Sequence, residues 1–72
     1  MRYLVIVEET QTGFSAYSPD VDGCIATGAS REEVETRMRE ALEFHLEGLS
    51  QEGCQIPQPK ASATWVDTAA RA

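Results

Sequence analysis

Ser30-Arg31-Glu32-Glu33 leaves this chain the fewest choices. A Ser30 hydroxyl can accept from the Glu33 amide while the Glu33 carboxylate reaches back to the Ser30 amide, the reciprocal capping box of a helix start. Glu32 and Glu33 also lie at the positive end of the helix dipole. Beyond them Val34, Met38, Ala41, Leu42, His45 and Leu49 recur at three-and-four spacing, and Gly53 supplies the stop. The spacing predicts one helix over about residues 31–52, roughly 30 Å long. With 72 residues in all, the chain is read as a single domain, 1–72, with one helix to cover whatever else must be buried.

The rest reads as short strands. Residues 2–8 are rich in Val, Ile and Tyr, and Glu9-Thr10-Gln11-Thr12-Gly13 has turn chemistry. Residues 14–18 form a second strand that Pro19 ends, because proline cannot donate to a ladder. After a loop at Asp20–Gly23, a third strand is expected at 24–28, closed by Gly28. Pro57 and Pro59 hold the chain extended after the helix, and 61–67, centred on Trp65-Val66, reads as a fourth strand, with 68–72 as a frayed end. The expected fold is therefore α+β, in the order β-β-β-α-β. Two hairpins and a right-handed crossover place the last strand parallel to the first, in a mixed sheet with one long helix on one face. The first strand is apolar on both sides, Tyr3, Val5 and Val7 on one and Leu4 and Ile6 on the other. A single helix leaves one side uncovered, and an apolar patch including some of Tyr17, Ile25 and Trp65 is expected there.

Twelve Asp and Glu against six Lys and Arg give a formal charge of −6. That balance repels phosphate backbones and attracts a basic protein, so no direct nucleic-acid partner is expected. The apolar run after Met1 is too short to span a bilayer and lacks a cleavage pattern, which points to a cytoplasmic protein without a membrane partner. Cys24 and Cys54 have no Cys or His at zinc-ligand spacing and read as thiols. His45 has no Ser or Cys at helical spacing to activate, so it reads as a packed imidazole or a ring at a subunit contact. Asp20-Val21-Asp22-Gly23 matches only the first fragment of a calcium loop, since no carboxylate follows between Cys24 and Ala29. As a turn it is well explained: Pro19 pre-sets its φ, the aspartates bond nearby amides, and Gly23 permits positive φ. No metal, cofactor or catalytic residue is expected.

In order, the chain carries a first strand ending in Glu8-Glu9, Gly13-Phe14-Ser15-Ala16, Pro19-Asp20-Val21-Asp22-Gly23-Cys24, Thr27-Gly28, the Glu32-Glu33 helix start and Ile56-Pro57-Gln58-Pro59. From Tyr3 to about Val66 this set resembles the HicB-like antitoxin domain of the UPF0150 type. The resemblance implies a partial ribonuclease-H-like fold and an antitoxin that binds a small basic HicA-like toxin, one that cleaves messenger RNA. Many members continue into a helix-turn-helix or ribbon-helix-helix domain that binds operator DNA. This sequence stops before one, so a stand-alone form is expected.

The ribonuclease-H-like shape also suggests a nuclease in which Glu8, Asp20, Asp22 or Asp67 gather magnesium, a reading that fold analogy alone supports poorly. The preferred reading is a non-enzymatic binding module that covers the active surface of a toxin. The alternative is a self-associating domain without a toxin. The expected toxin contacts are Glu8, Glu9, Tyr17, Asp20 and Asp22, with the four acids taken to lie at one end of the sheet. Glu40, Glu43 and Glu47 on the helix are a second acidic candidate. Phe44, His45 and Trp65 are expected to join copies of the chain in a homodimer or homotetramer. Pro19, Gly23, Gly28, Ser30, Glu33, Gly53 and Pro57 are assigned to turns and caps.

Overall fold

The computed structural model describes residues 1–70; Arg71 and Ala72, the end of the segment expected to fray, lie outside the described residues. Three strands, β1 (Ile6–Glu9), β2 (Phe14–Ser18) and β3 (Val21–Gly28), precede one helix, α1 (Arg31–Gln51). The strands form an antiparallel sheet in the order β1-β2-β3.

The β1–β2 loop closes with the Thr10 amide donating to the Gly13 carbonyl at 2.8 Å, and Glu9 faces Phe14. The β2–β3 connection is tighter than expected. Ser18 pairs with Val21, so only Pro19 and Asp20 form the turn, and β3 starts three residues before Cys24. The register then jumps, because Tyr17 faces Ile25. Asp22, Gly23 and Cys24 are thus the extra residues of a bulge, and Gly23 takes φ 77° there. Asp20-Val21-Asp22-Gly23 is therefore half turn and half bulged strand, not a loop.

The pairing Val7–Ala16–Ala26 fixes the helix-facing side of the sheet. Ala16, Val21, Cys24, Val34 and Met38 form the buried core, with Tyr3, Val5, Val7, Phe14, Ala26, Ala41 and Leu42 packed around it. Gly28 permits the close approach of β3 to the helix start: a Cβ there would stand 2.8 Å from the Val34 nitrogen and 3.1 Å from its Cα.

The helix begins as expected, with the Ser30 hydroxyl accepting from the Glu33 amide at 3.1 Å. The return bond differs by one residue: Glu33 Oε1 accepts from the Ala29 amide at 3.0 Å instead of from Ser30. The same oxygen lies 3.3 Å from Arg37 Nη1, while Arg37 donates to the Thr27 carbonyl at 3.0 Å. Helix start and β3 are thereby tied together. Glu35 pairs with Arg31 at 3.3 Å, although its spacing to Arg39 also allowed a pair. After Gly53 the Cys54 amide bonds back to the Leu49 carbonyl at 2.9 Å and ends the helix.

The expected fourth strand does not form. Ala61–Asp67 pairs with nothing in the sheet, so the sheet is three-stranded and antiparallel rather than four-stranded and mixed. The parallel strand of a ribonuclease-H-like arrangement is therefore missing among the described residues. Pro57 and Pro59 bring no donors, and the next two amides, Lys60 and Ala61, are both taken by Asp20 Oδ2, at 3.0 and 2.9 Å.

Candidate functional site

The two-residue turn and the register bring Ile6, Tyr17 and Ile25 into one row on the sheet face that points away from the helix. Ile25 is 66% exposed and Tyr17 40% exposed. Glu8, Ser15 and Thr27 form the next row of the same face, which adds a carboxylate beside the apolar one. With Tyr3, Val5 and Val7 on the helix side, Leu4 and Ile6 belong to the open side. The strand sequences predicted an uncovered face; only the pairing shows which row occupies it.

The expected acidic cluster is divided. In a meander successive turns lie at opposite ends of the sheet, so Glu8 and Glu9 flank the β1–β2 loop while Asp20 and Asp22 lie at the β2–β3 end. Alternation also puts Glu8 and Glu9 on opposite faces. Glu8, Glu9 and Asp22 are exposed. Asp20 is half-buried and engaged by the backbone of Lys60 and Ala61, a role that its distance of 40 residues in sequence concealed. The carboxylates proposed for a nuclease do not converge either. Among the described residues no three of His, Cys, Asp and Glu come close enough to hold a metal ion.

The residues expected at a contact between copies are spread widely. Phe44 is 81% exposed on the helix, His45 is half-buried, and Trp65 is 99% exposed in the extended C-terminal segment. Of the helix, only Val34 and Met38 are fully buried. Its later turns run past the sheet and line an apolar cavity of about 320 Å³ with Met1, Tyr3, Arg39, Leu42, Glu43, Leu46 and Ile56. The Tyr3 hydroxyl donates to the Pro57 carbonyl at 2.6 Å and closes one side of it. Tyr3, Leu46 and Ile56 had not been expected to share a site; their separation in sequence left no local signal. Both cysteines are free thiols, Cys24 buried and Cys54 exposed, and burial raises the Cys24 pKa above its ordinary value. No helix among the described residues is long and apolar enough to cross a membrane.

The family model described as the HicB-like antitoxin of bacterial toxin-antitoxin systems matches residues 3–70. The chain belongs to the HicB-like antitoxin family. The match runs through Ala61–Asp67, so the unpaired segment lies inside the family's domain. Among solved structures, a chain of the HicA3 and HicB3 toxin-antitoxin complex superposes with a TM-score of 0.70 and 35% identity, over 82% of this chain and 70% of that one. The crystal structure of antitoxin HicB3 gives 0.68 and 33%, over 83% of this chain and 44% of that one. A protein from the rep-hol intergenic region of Haemophilus phage HP1 is 31% identical over 81% of this HicB-like chain. The UPF0150 protein Ta0767 of Thermoplasma acidophilum is 27% identical over 85% of it. The chain spans 44% of the phage protein's length and 90% of the Thermoplasma protein's.

Proposed function

We propose that this HicB-like chain is an antitoxin that neutralises a small basic HicA-like toxin by binding, without catalysis, in the cytoplasm. The open face of the sheet carries the reading: an apolar row of Ile6, Tyr17 and Ile25 with Glu8 beside it, left uncovered by α1. Likeness to the HicB3 chain solved with HicA3 supports the partner's class. Tyr17 and Ile25 supply the apolar contact that toxin binding desolvates, and Glu8 on the same face sets negative charge against the toxin's lysines and arginines, while Glu9 and Asp22 add to the acidic field at the two ends of the sheet. The net charge of −6 steers the encounter. Asp20, already bonded to the chain's own backbone, contributes charge rather than a direct contact.

The test is titration of the folded protein with the HicA-like toxin encoded beside it. Affinity should fall as salt rises, and Tyr17→Ala or Ile25→Lys should each weaken binding by about tenfold or more, about 1.4 kcal/mol. No binding at low salt, or unchanged binding in the Tyr17→Ala/Ile25→Lys double variant, overturns the proposal. Failure to bind any such toxin leaves the self-associating domain as the better reading.

A further inference from the structure

Residues 62–67 are all exposed, although they include the single tryptophan of the chain. Trp65 is 99% exposed and Val66 74%. The segment does not simply fray, because its origin is fastened twice. Tyr3 holds the Pro57 carbonyl at 2.6 Å, and Asp20 holds the Lys60 and Ala61 amides. Between these points Pro57 and Pro59 keep the backbone extended. Pro59–Ala63 runs beside Arg2–Val5. The result is an elongated molecule, 49 Å along its greatest extent, with a radius of gyration of 14.4 Å. A compact domain of this length has a radius of gyration of roughly 11 Å.

On the same surface lies the apolar cavity of about 320 Å³ between the N-terminus, the later helix turns and Ile56. Its size suits one large side chain, at the lower end of the range of ligand pockets. Arg39 at its rim can stack on an aromatic face, and the Glu43 carboxylate can accept an indole N–H. The chain's own Trp65 does not occupy it. Ile56 forms part of its wall, whereas the chain beyond it is held extended beside Arg2–Val5 and carries Trp65 away by up to about 30 Å.

We propose that two copies of this chain pair by reciprocal exchange of the C-terminal segment, Trp65 of each entering the cavity lined by Met1, Tyr3, Leu42, Leu46 and Ile56 of the other. The occupant follows from the pairing of an unfilled apolar cavity with a projecting, clamped aromatic residue on one molecule, which a twofold axis satisfies twice. Two tryptophans bury roughly 300–500 Å² between them, and the flanking residues 62–67 of both copies bring the total towards the ~1,200–2,000 Å² of stable interfaces. The cavity shares no residue with the open row of Ile6, Tyr17 and Ile25, so the pairing is separable from toxin binding.

The full-length chain reports on this directly, since its fluorescence comes from Trp65 alone as the only tryptophan. Sedimentation should give a dimer, and Trp65 emission should shift to the red on dilution with the midpoint of dissociation. Trp65→Ala and Leu46→Arg should each weaken the dimer by about 30-fold or more. Leu46 is outside the buried core, and circular dichroism checks that the helix persists. Mixing distinguishes exchange from closure within one chain. The Leu46→Arg protein carries the only tryptophan in a mixture with Trp65→Ala, and adding the latter in excess should restore the blue-shifted emission. Emission of an exposed indole in that mixture, a Trp65→Ala protein that dimerises as wild type does, or a wild-type protein that is monomeric at all concentrations overturns the proposal.

Discussion

Removal of the Asp20 carboxylate should release the C-terminal segment without unfolding the domain. Asp20 Oδ2 accepts from Lys60 and Ala61 at 3.0 and 2.9 Å. A hydrogen bond to a charged group contributes about 1.5–3 kcal/mol; here Lys60 is exposed and Asp20 only half-buried, so the two bonds together are assigned about 2 kcal/mol. Since about 1.4 kcal/mol is a factor of ten, Asp20→Ala should raise the opening equilibrium of the Lys60 and Ala61 amides about 30-fold. Asp20→Asn keeps a neutral acceptor and should cost about 1 kcal/mol, or about fivefold. Amide hydrogen exchange read by NMR at those two positions measures this, with core amides near Val34 and Met38 as the internal reference. Asp22→Ala is the control, because Asp22 is exposed in the bulge. Unchanged protection of Lys60 and Ala61 in Asp20→Ala, or an equal loss in Asp22→Ala, would refute the clamp.

Gly28→Ala should destabilise the domain by about 1–3 kcal/mol in urea unfolding, since the added Cβ meets helix backbone at Val34 and not a movable side chain. Ser18→Ala should leave stability unchanged or raise it by up to about 1 kcal/mol, because the Ser18 hydroxyl is buried without a partner; a clear loss in the same assay reveals a bond to water. Alkylation under native conditions should modify Cys54 and spare Cys24 until the protein unfolds, as mass spectrometry can read. The folded state holds the Cys24 proton to higher pH than the unfolded chain does. Stability is therefore intact below the unfolded thiol pKa of about 8.5 and declines as pH rises above it; Cys24→Ala should flatten that decline in urea midpoints measured across the range.

Local signals were legible where the interaction is local. Ser30, Glu33 and the stripe from Val34 placed the helix, because a cap and a period of 3.6 are written within a few residues. The antiparallel order of the first three strands was legible too. Glu33 bonding Ala29 rather than Ser30 is a difference of side-chain reach that spacing does not resolve. The start of β3 was misplaced because Gly23 and the aspartates carry turn chemistry that also suits a bulge, and only the Ser18–Val21 pairing separates the two. Ala61–Asp67 has the propensity of a strand, but pairing needs a neighbour, and propensity names none. The acidic cluster failed for a geometric reason: Glu8 at the end of β1 and Asp22 at the start of β3 lie at opposite ends of one meander.

That division bears on how the chain can work. The open row of Ile6, Tyr17 and Ile25 and the cavity lined by Tyr3, Leu42, Leu46 and Ile56 share the first strand region but lie on opposite faces of it, because Tyr3 and Ile6 alternate. One surface is set by hairpin pairing and the other by the helix end and the clamped C-terminal segment. The proposed toxin contact and the proposed exchange therefore make separable demands on the same seventy described residues. Trp65→Ala should give a monomer that still binds toxin with an affinity per site within about threefold of wild type, as expected for sites without shared partners. Ile25→Lys should dimerise normally and lose toxin. If Trp65→Ala instead loses toxin and dimer together while circular dichroism shows an intact helix, the toxin is reading a surface that only the pair completes, and the open face of one chain is not sufficient.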